Sequence, residues 1–121
     1  MSREIWKPGT MLNPVPVVLV TSKYNGVENV FTVAWTGTIC SDPAMTYISI
    51  RKERYSYDLI KNSKRFCINL VNEDLVYETD YCGVRSGKNE NKFEKMKLEK
   101  ENAKNFDCPI IKKSPVVIEC E

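Results

Sequence analysis

The amino-acid sequence predicts a mainly β fold, an antiparallel barrel with short helices attached. Short runs rich in β-branched and aromatic residues recur along the chain, and at least five of them have the length of a strand. Asn25-Gly26 lies between two of these runs and is the strongest short signal for a hairpin, because both residues tolerate positive φ. The two predicted helices are small and lie in the second half, so the pattern does not alternate strand and helix as a βαβ fold does.

Length and composition limit the classes of protein that this chain can belong to. Its 121 residues are enough for one hydrophobic core, so residues 1–121 are expected to form a single domain. The chain is 42% hydrophobic and 28% charged, which is ordinary for a globular protein. A net charge of +2 argues against a general nucleic-acid binder, and no apolar run has the length of a membrane span. We therefore expect no nucleic-acid partner and no membrane partner.

Histidine and cysteine usage excludes several kinds of chemistry. The sequence has no histidine, which removes the commonest metal ligand and general base. Its five cysteines are odd in number and form no CxxC pair, so neither a zinc site nor a disulfide framework is expected. Free and mostly buried thiols in a reducing cytoplasm fit this pattern better. P-loop, HExxH and glycine-rich dinucleotide signatures are absent as well.

The first half of the chain predicts a meander of three strands. Val15–Thr21 is the first, Asn25-Gly26 turns the chain, and the stretch Asn29–Arg51 supplies the other two, which are separated by Ser41-Asp42-Pro43. Thr46–Ile50 alternates polar and apolar side chains and is followed at once by Arg51. Two adjacent strands that end in a cation indicate a platform for a flat ligand with an anionic tail. The same pattern also describes an ordinary hairpin with a surface arginine.

The second half predicts two helices and two more strands. Ser56 is expected to cap a helix over Tyr57–Asn62, with Leu59 and Ile60 facing inward, and Arg65–Val71 is expected to be a strand. A second helix should run from Glu73 or Asp74 to Tyr81. Its inner side is predicted to be Leu75, Val76 and Thr79, with Gly83 as the stop, and the polar segment that follows has the apolar anchors Phe93, Met96 and Leu98. Pro109–Ile111 returns to the core, and Val116–Ile118 is the last predicted strand.

Cations and hydroxyls cluster in two segments of the sequence. Charge-assisted donors that converge from two loops are what a phosphate group requires, although two unrelated basic surface turns would have the same composition. The first segment follows Thr46–Ile50 and the second precedes Phe93. Their members are Ser49, Arg51, Lys52, Arg54 and Ser56 in the first, and Ser86, Gly87, Lys88 and Lys92 in the second.

The order of short motifs resembles one known family. The segments PVPVVLVT, YNGVENVFTVAW, DPAMTYISIRKERYSYDLI, FCINL, CGVRSGKNENKFEK and SPVVIECE occur in the order found in the flavin reductase-like family of FMN-binding split barrels, and most resemble its flavoredoxin-type members. The resemblance extends from about Pro14 to Glu121. It implies an antiparallel Greek-key split β-barrel. Because members of this family continue past the strand that matches Val116–Cys120, the barrel is expected to lack its C-terminal strands.

The resemblance also implies a cofactor and the residues that hold it. FMN would be bound non-covalently, with the ring along the strand after Asn29, the ribityl chain and phosphate along the segment after Ser49, and the loop from Cys82 to Lys92 closing over the phosphate. Trp35 could flank the ring or belong to the core, and Cys82 could approach the flavin or pack in the core. The expected cofactor-binding residues are Asn29, Thr32, Val33, Ala34, Trp35, Thr36, Ser49, Ile50, Arg51, Lys52, Tyr55, Ser56, Cys82, Gly83, Ser86, Gly87 and Lys92.

Three functions follow from the resemblance. The first is an NAD(P)H-dependent flavin reductase that passes hydride from NADH or NADPH to flavin N5, with no catalytic side chain because the cofactor supplies the reactivity. The second is an FMN electron carrier that receives electrons from a redox protein partner. The third is a shortened barrel without flavin. The resemblance also implies a homodimer. The open edge would be covered by a partner chain, or else the chain is a truncated or naturally shortened form.

Overall fold

The computed structural model describes residues 1–121 as eight strands and a few short helices. The strands are β1 (Val18–Tyr24), β2 (Val27–Val33), β3 (Thr36–Ser41), β4 (Ala44–Ile48), β5 (Phe66–Leu70), β6 (Lys100–Asn102), β7 (Pro109–Ile111) and β8 (Val117–Cys120). The helices are α1 (Tyr55–Ser63), α2 (Val76–Val84), which follows a 3-10 turn at Glu73–Leu75, and α3 (Lys92–Lys95). The fold is thus mainly β with short helices, as predicted, and all strand pairs are antiparallel.

A four-stranded sheet in the order β2-β1-β5-β8 forms the centre of the molecule. The predicted hairpin between its first two strands is confirmed: Tyr24 pairs with Val27, and Asn25 and Gly26 have φ of 50° and 78°. Strand β1 is buried from Val18 to Ser22 because it lies between β2 and β5 and is covered on both faces. The sheet does not close into a barrel, since β2 and β8 remain at its edges.

The three-strand meander is wrong. Strand β2 ends at Val33, and β3 pairs only with β4 in a separate two-stranded ribbon. The exposure of the side chains increases after Ala34 and Trp35: β2 is largely buried, whereas β3 and β4 are half-buried or exposed. After the ribbon, the backbone N–H of Ser49 donates to the carbonyl of Trp35 at 2.8 Å, which returns the chain to the end of β2.

Helix α1 begins earlier than predicted. Arg54 is its N-cap residue and makes no side-chain capping bond, so the predicted capping role of Ser56 is wrong. Ser56 instead lies inside the first turn, where its hydroxyl oxygen accepts a hydrogen bond from the buried Asn29 of β2. Leu59 is buried and Ile60 packs against the core, as predicted. Lys64, with φ of 58°, ends the helix in the left-handed conformation.

The prediction for helix α2 is partly wrong. Leu75 is fully buried, but Val76 is 65% exposed, because the 3-10 turn that ends at Leu75 shifts the following residue to the outer face. Gly83 does not end the helix, which continues to Val84. The Cβ that an alanine would have at Gly83 lies 3.5 Å from the Cβ of Thr32, which is an ordinary contact distance, so the packing of the helix on β2 does not require glycine here.

Two apolar clusters cover the two faces of the central sheet. Side chains alternate between the faces of a strand, so Leu19 belongs to one cluster and its neighbour Val20 to the other. Phe93 and Leu98 are buried in the cluster of Leu19, and Met96 packs against it, which confirms the predicted anchors of the polar segment. No helix is both long and apolar enough to cross a lipid bilayer.

Candidate functional site

A cavity of about 350 Å³ opens where β2 ends and the chain turns toward the β3–β4 ribbon. Its walls come from the last residues of β2, the turn that follows, the segment after β4 and one residue of α2. The lining residues are Phe31, Thr32, Val33, Ala34, Trp35, Ser49, Ile50, Arg51, Arg54 and Gly83. We call this space the larger cavity.

A second cavity of about 170 Å³, the smaller cavity, lies next to the first. Phe31 and Arg54 line both, so the two spaces meet at these side chains. The smaller cavity is mostly polar and is bounded by β2, the start of α1 and the loop between α2 and α3. Its lining residues are Asn29, Phe31, Glu53, Arg54, Tyr55, Arg85, Ser86, Gly87 and Lys92.

The larger cavity combines apolar, polar and positively charged wall residues. Trp35 is 49% exposed and lines it, so the alternative that Trp35 is a core residue is wrong. Four consecutive residues from Thr32 to Trp35 contribute to the wall. They comprise the end of the edge strand β2 and the bend after it, where backbone groups that are not paired within a sheet can meet a ligand. Arg51 and Arg54 also line the cavity and add positive charge to its wall.

The smaller cavity contains a buried cation. Lys92 is 2% exposed, and its Nζ donates to the carbonyl oxygen of Cys82 at 3.2 Å. It takes part in no ion pair within 4 Å. Desolvation by burial lowers the pKa of Lys92, and the charge of Arg54 lowers it further, whereas Cys82 and Glu90 act in the opposite direction.

The loop at Ser86-Gly87 lies close against β2 and α1. A Cβ at Gly87 would be 2.3 Å from Oδ1 of Asn29 and 2.6 Å from Cδ1 of Tyr55, so only glycine fits at this approach. Below the loop, Nδ2 of Asn29 donates to Oγ of Ser56 at 2.7 Å, and both residues are buried. The Ser86 hydroxyl accepts from the backbone N–H of Lys88 at 3.2 Å, which stabilises the turn. The smaller cavity is therefore shaped by three elements in direct contact.

Thirteen of the seventeen expected cofactor-binding residues line these two cavities. The other four do not. Thr36 Oγ1 donates to the carbonyl of Tyr47 at 2.8 Å, and Lys52 is exposed on the turn before α1. Ser56 is buried beneath Asn29. Cys82 is fully buried in the cluster of Leu19, which confirms packing as its role, and burial raises the pKa of its thiol to about 11.

Three lining residues were not among those expected from the sequence. Phe31 is buried in the sheet, and an apolar residue in a strand gives no sign that it also borders a cavity. Glu53 follows the expected residue Lys52, and Arg85 precedes the expected residue Ser86. Both could have been predicted by extending the basic turn and the serine-glycine loop by one residue.

Fold and site together define a mainly β domain with two adjoining cavities, the smaller of which contains a buried cation, and comparison with known proteins gives its family. The sequence profile described as "Flavin reductase like domain" matches residues 10–121, and the chain belongs to this family. An uncharacterized protein of Archaeoglobus fulgidus is 32% identical over 99% of this chain and 67% of its own length.

Two solved structures show the same fold. Flavoredoxin of Desulfovibrio vulgaris (Miyazaki F) superposes with a TM-score of 0.91 at 30% identity, over 98% of this chain and 65% of that one. An FMN-binding domain of a flavin reductases-like enzyme from Shewanella baltica gives 0.84 at 22% identity, over 88% and 56%. The chain thus spans just under two thirds of the flavoredoxin. The expected split-barrel fold class and the resemblance to flavoredoxin are confirmed.

Proposed function

We propose that this chain binds FMN non-covalently and acts as a flavin oxidoreductase that accepts hydride from NADH or NADPH. The observation that carries the proposal is the meeting of the two cavities at Phe31 and Arg54, one suited to a flat ring and the other to an anion. FMN has these two parts in one molecule, joined by a flexible ribityl chain. The family supports the same cofactor.

The smaller cavity fits a terminal phosphate. Lys92 is buried with one backbone carbonyl as its partner, and Arg54 and Arg85 border the same space. A buried ammonium without a carboxylate has unused donors, which phosphate oxygens can accept. The close approach at Gly87 leaves the backbone of the loop accessible to an anion. These residues would hold the phosphate.

The larger cavity would hold the isoalloxazine ring. The backbone of the end of β2 and of the bend after it, from Thr32 to Trp35, would bind its polar edge, and the Trp35 side chain would lie beside it. When bound, FMN would supply the hydride-transfer chemistry. The residues of the chain would orient the ring and leave room for the nicotinamide. No acid or base from the protein is required.

A second candidate function is an FMN electron carrier that receives electrons from a protein partner. The similarity to flavoredoxin over 98% of the chain favours it. Exposed cations also lie at the cavities, at Arg51, Arg54 and Arg85, and such a border would suit an acidic redox protein. Steady oxidation of NADH or NADPH by the protein with FMN is expected of the reductase and not of the carrier.

We further propose that the protein acts as a homodimer in the cytoplasm. The β3–β4 ribbon exposes Ile39, Met45 and Tyr47, which is a large apolar surface for two strands, and Trp35 lies just before it. The mostly buried, free thiols are those expected in a reducing compartment. Light scattering during size exclusion would measure the dimer; a monomer at micromolar concentration would contradict it.

FMN titration of the purified protein tests the cofactor. Arg54→Ala should weaken FMN by about tenfold or more and riboflavin much less, because the lost charge faces the phosphate. Lys113→Ala, at an exposed lysine outside both cavities, is the matched control. Absence of FMN binding would exclude both flavin functions and leave the shortened barrel. If FMN binds, steady oxidation of NADH or NADPH supports the reductase, and its absence supports the carrier.

A further inference from the structure

The smaller cavity contains a lysine whose charge is incompletely balanced. Lys92 is 2% exposed, and the Cys82 carbonyl, 3.2 Å from Nζ, is its recorded acceptor. An ammonium has three N–H donors, so up to two are left for a ligand. Burying a charge in this way favours its neutral form unless an anion is close.

The groups around Lys92 do not supply that anion in the free protein. Arg54 approaches from the turn before α1 and Arg85 from the loop after α2, and both are positive. The charge of Glu90 raises the Lys92 pKa less than burial and Arg54 lower it, and Glu90 already accepts a hydrogen bond from the Tyr81 hydroxyl. The Cys82 thiol has its own pKa raised to about 11, so it stays neutral at ordinary pH. Glu53 also lines the cavity but forms no ion pair with Lys92 within 4 Å, and the remaining titratable lining residue is Tyr55.

We infer that Lys92 takes up a proton when a terminal phosphate monoester enters the smaller cavity, so that this site selects a dianionic phosphate and binds it with proton uptake. The inference rests on the proposed binding of FMN. A dianion beside Nζ restores the charged form of the lysine, because the two opposite charges lie together in a space that water has left. Riboflavin, which has the ring and no phosphate, would cause no uptake.

At a suitable pH, proton uptake by a lysine can be distinguished from proton uptake by the ligand or by carboxylates. The second pKa of a phosphate monoester is about 6, so at about pH 8 and above the ligand is already a dianion and takes up no proton. Glutamates are ionised there, and arginines keep their charge. A proton taken up between about pH 8 and about pH 10 therefore goes to a lysine or to another group of similar basicity. Variants identify which one.

The experiment is calorimetric titration of the full chain with FMN in two buffers of different ionisation enthalpy. The difference in heat gives the number of protons taken up, and we expect this number to rise with pH toward about one per FMN. Affinity should fall over the same range, since protonation becomes harder. Lys92→Met should abolish the uptake and weaken FMN by about tenfold or more. Lys95→Met, at an exposed position on α3 outside both cavities, is the matched control and should keep the uptake.

Each outcome decides one point. FMN binding without proton uptake overturns this inference and leaves the proposed function intact. Equal uptake with riboflavin, or uptake that persists in Lys92→Met, also overturns it. A Lys92→Met protein that melts like the wild type confirms that the loss is not due to unfolding. If FMN does not bind at all, titration with inorganic phosphate tests the site alone: uptake that depends on Lys92 supports the inference although the flavin function has failed, and no binding of either ligand overturns both.

Discussion

Asn29 on β2 and Ser56 on α1 form a buried hydrogen bond of 2.7 Å that joins the central sheet to the helix beside the smaller cavity. Asn29 is 3% exposed and Ser56 is 1% exposed. The amide of Asn29 also faces the loop at Gly87 through its oxygen. This pair therefore sets the distance between three elements that border the cavity.

Replacing Ser56 with alanine should lower the free energy of unfolding by about 1–3 kcal/mol. The substitution leaves the Nδ2 donor of Asn29 buried without its recorded acceptor, and a buried unpaired donor loses its full desolvation energy. Urea denaturation measures the change. Ser41→Ala, on the exposed strand β3, is the control and should stay within about 0.5 kcal/mol of wild type. Equal effects at the two serines would contradict the importance of the buried pair.

Two glycines near the cavities should respond to alanine with opposite signs. At Gly87 the new methyl group would lie 2.3 Å from Asn29 Oδ1, so the loop must move, and we expect a loss of about 1–3 kcal/mol. At Gly83 the nearest atom is 3.5 Å away and the residue is helical, so alanine should stabilise by about 0.5–1 kcal/mol.

Thermal melting of the two glycine variants measures both effects. FMN affinity adds a second readout for Gly87→Ala, since displacement of the loop should weaken phosphate binding. If Gly87→Ala kept both its melting temperature and its FMN affinity, the close approach to Asn29 would not exist in solution.

The sequence was sufficient where a local signal decides the structure. Asn25-Gly26 could be assigned as a hairpin because the required backbone conformation is a property of these two residues. Phe93 and Leu98 could be assigned to the core because they are isolated apolar residues in a polar segment. Arg54 and Lys92 could be anticipated as binding groups for an anion because each belongs to a segment in which cations and hydroxyls cluster.

The packing of distant segments determines the features that sequence patterns did not predict. Serine is a common helix-capping residue, yet the hydroxyl oxygen of Ser56 accepts a hydrogen bond from Asn29, which lies 27 residues earlier in the chain. Tryptophan is a residue type expected in a core, yet Trp35 lies between strands of two different sheets and remains half exposed. Both assignments depend on which distant segment packs nearby, and periodicity along the chain contains no information about that.

Trp35 provides a test of the ring end of the proposed site. Trp35→Ala should weaken FMN and riboflavin by the same factor, about 2- to 10-fold, because an aromatic contact acts on the ring that both ligands share. Trp6→Ala, which removes an exposed tryptophan from the irregular N-terminal segment, is the control. Flavin fluorescence titration measures the two affinities. A loss confined to FMN would place Trp35 at the phosphate instead.

The thiol of Cys82 should be protected from alkylation to a higher pH than a free thiol. Desolvation by burial raises its pKa from the ordinary value of 9.0 to about 11, against the opposing charge of Lys92. Below about pH 9 the thiol is protonated in the folded and the unfolded chain, so its contribution to stability is complete. Between about 9 and about 11 only the unfolded chain releases the proton, and this group lowers the free energy of unfolding by at most about 1.4 kcal/mol per pH unit.

Alkylation with iodoacetamide, followed by peptide mass measurement, compares Cys82 with the partly exposed Cys40 in the same sample. At about pH 8 we expect label on Cys40 and essentially none on Cys82, since the reactive species is the thiolate and the buried sulfur is inaccessible. All five cysteines should label in denaturant. Rapid labelling of Cys82 at about pH 8 would instead mean that α2 opens from the sheet and that the Cys82 carbonyl is not a fixed acceptor for Lys92.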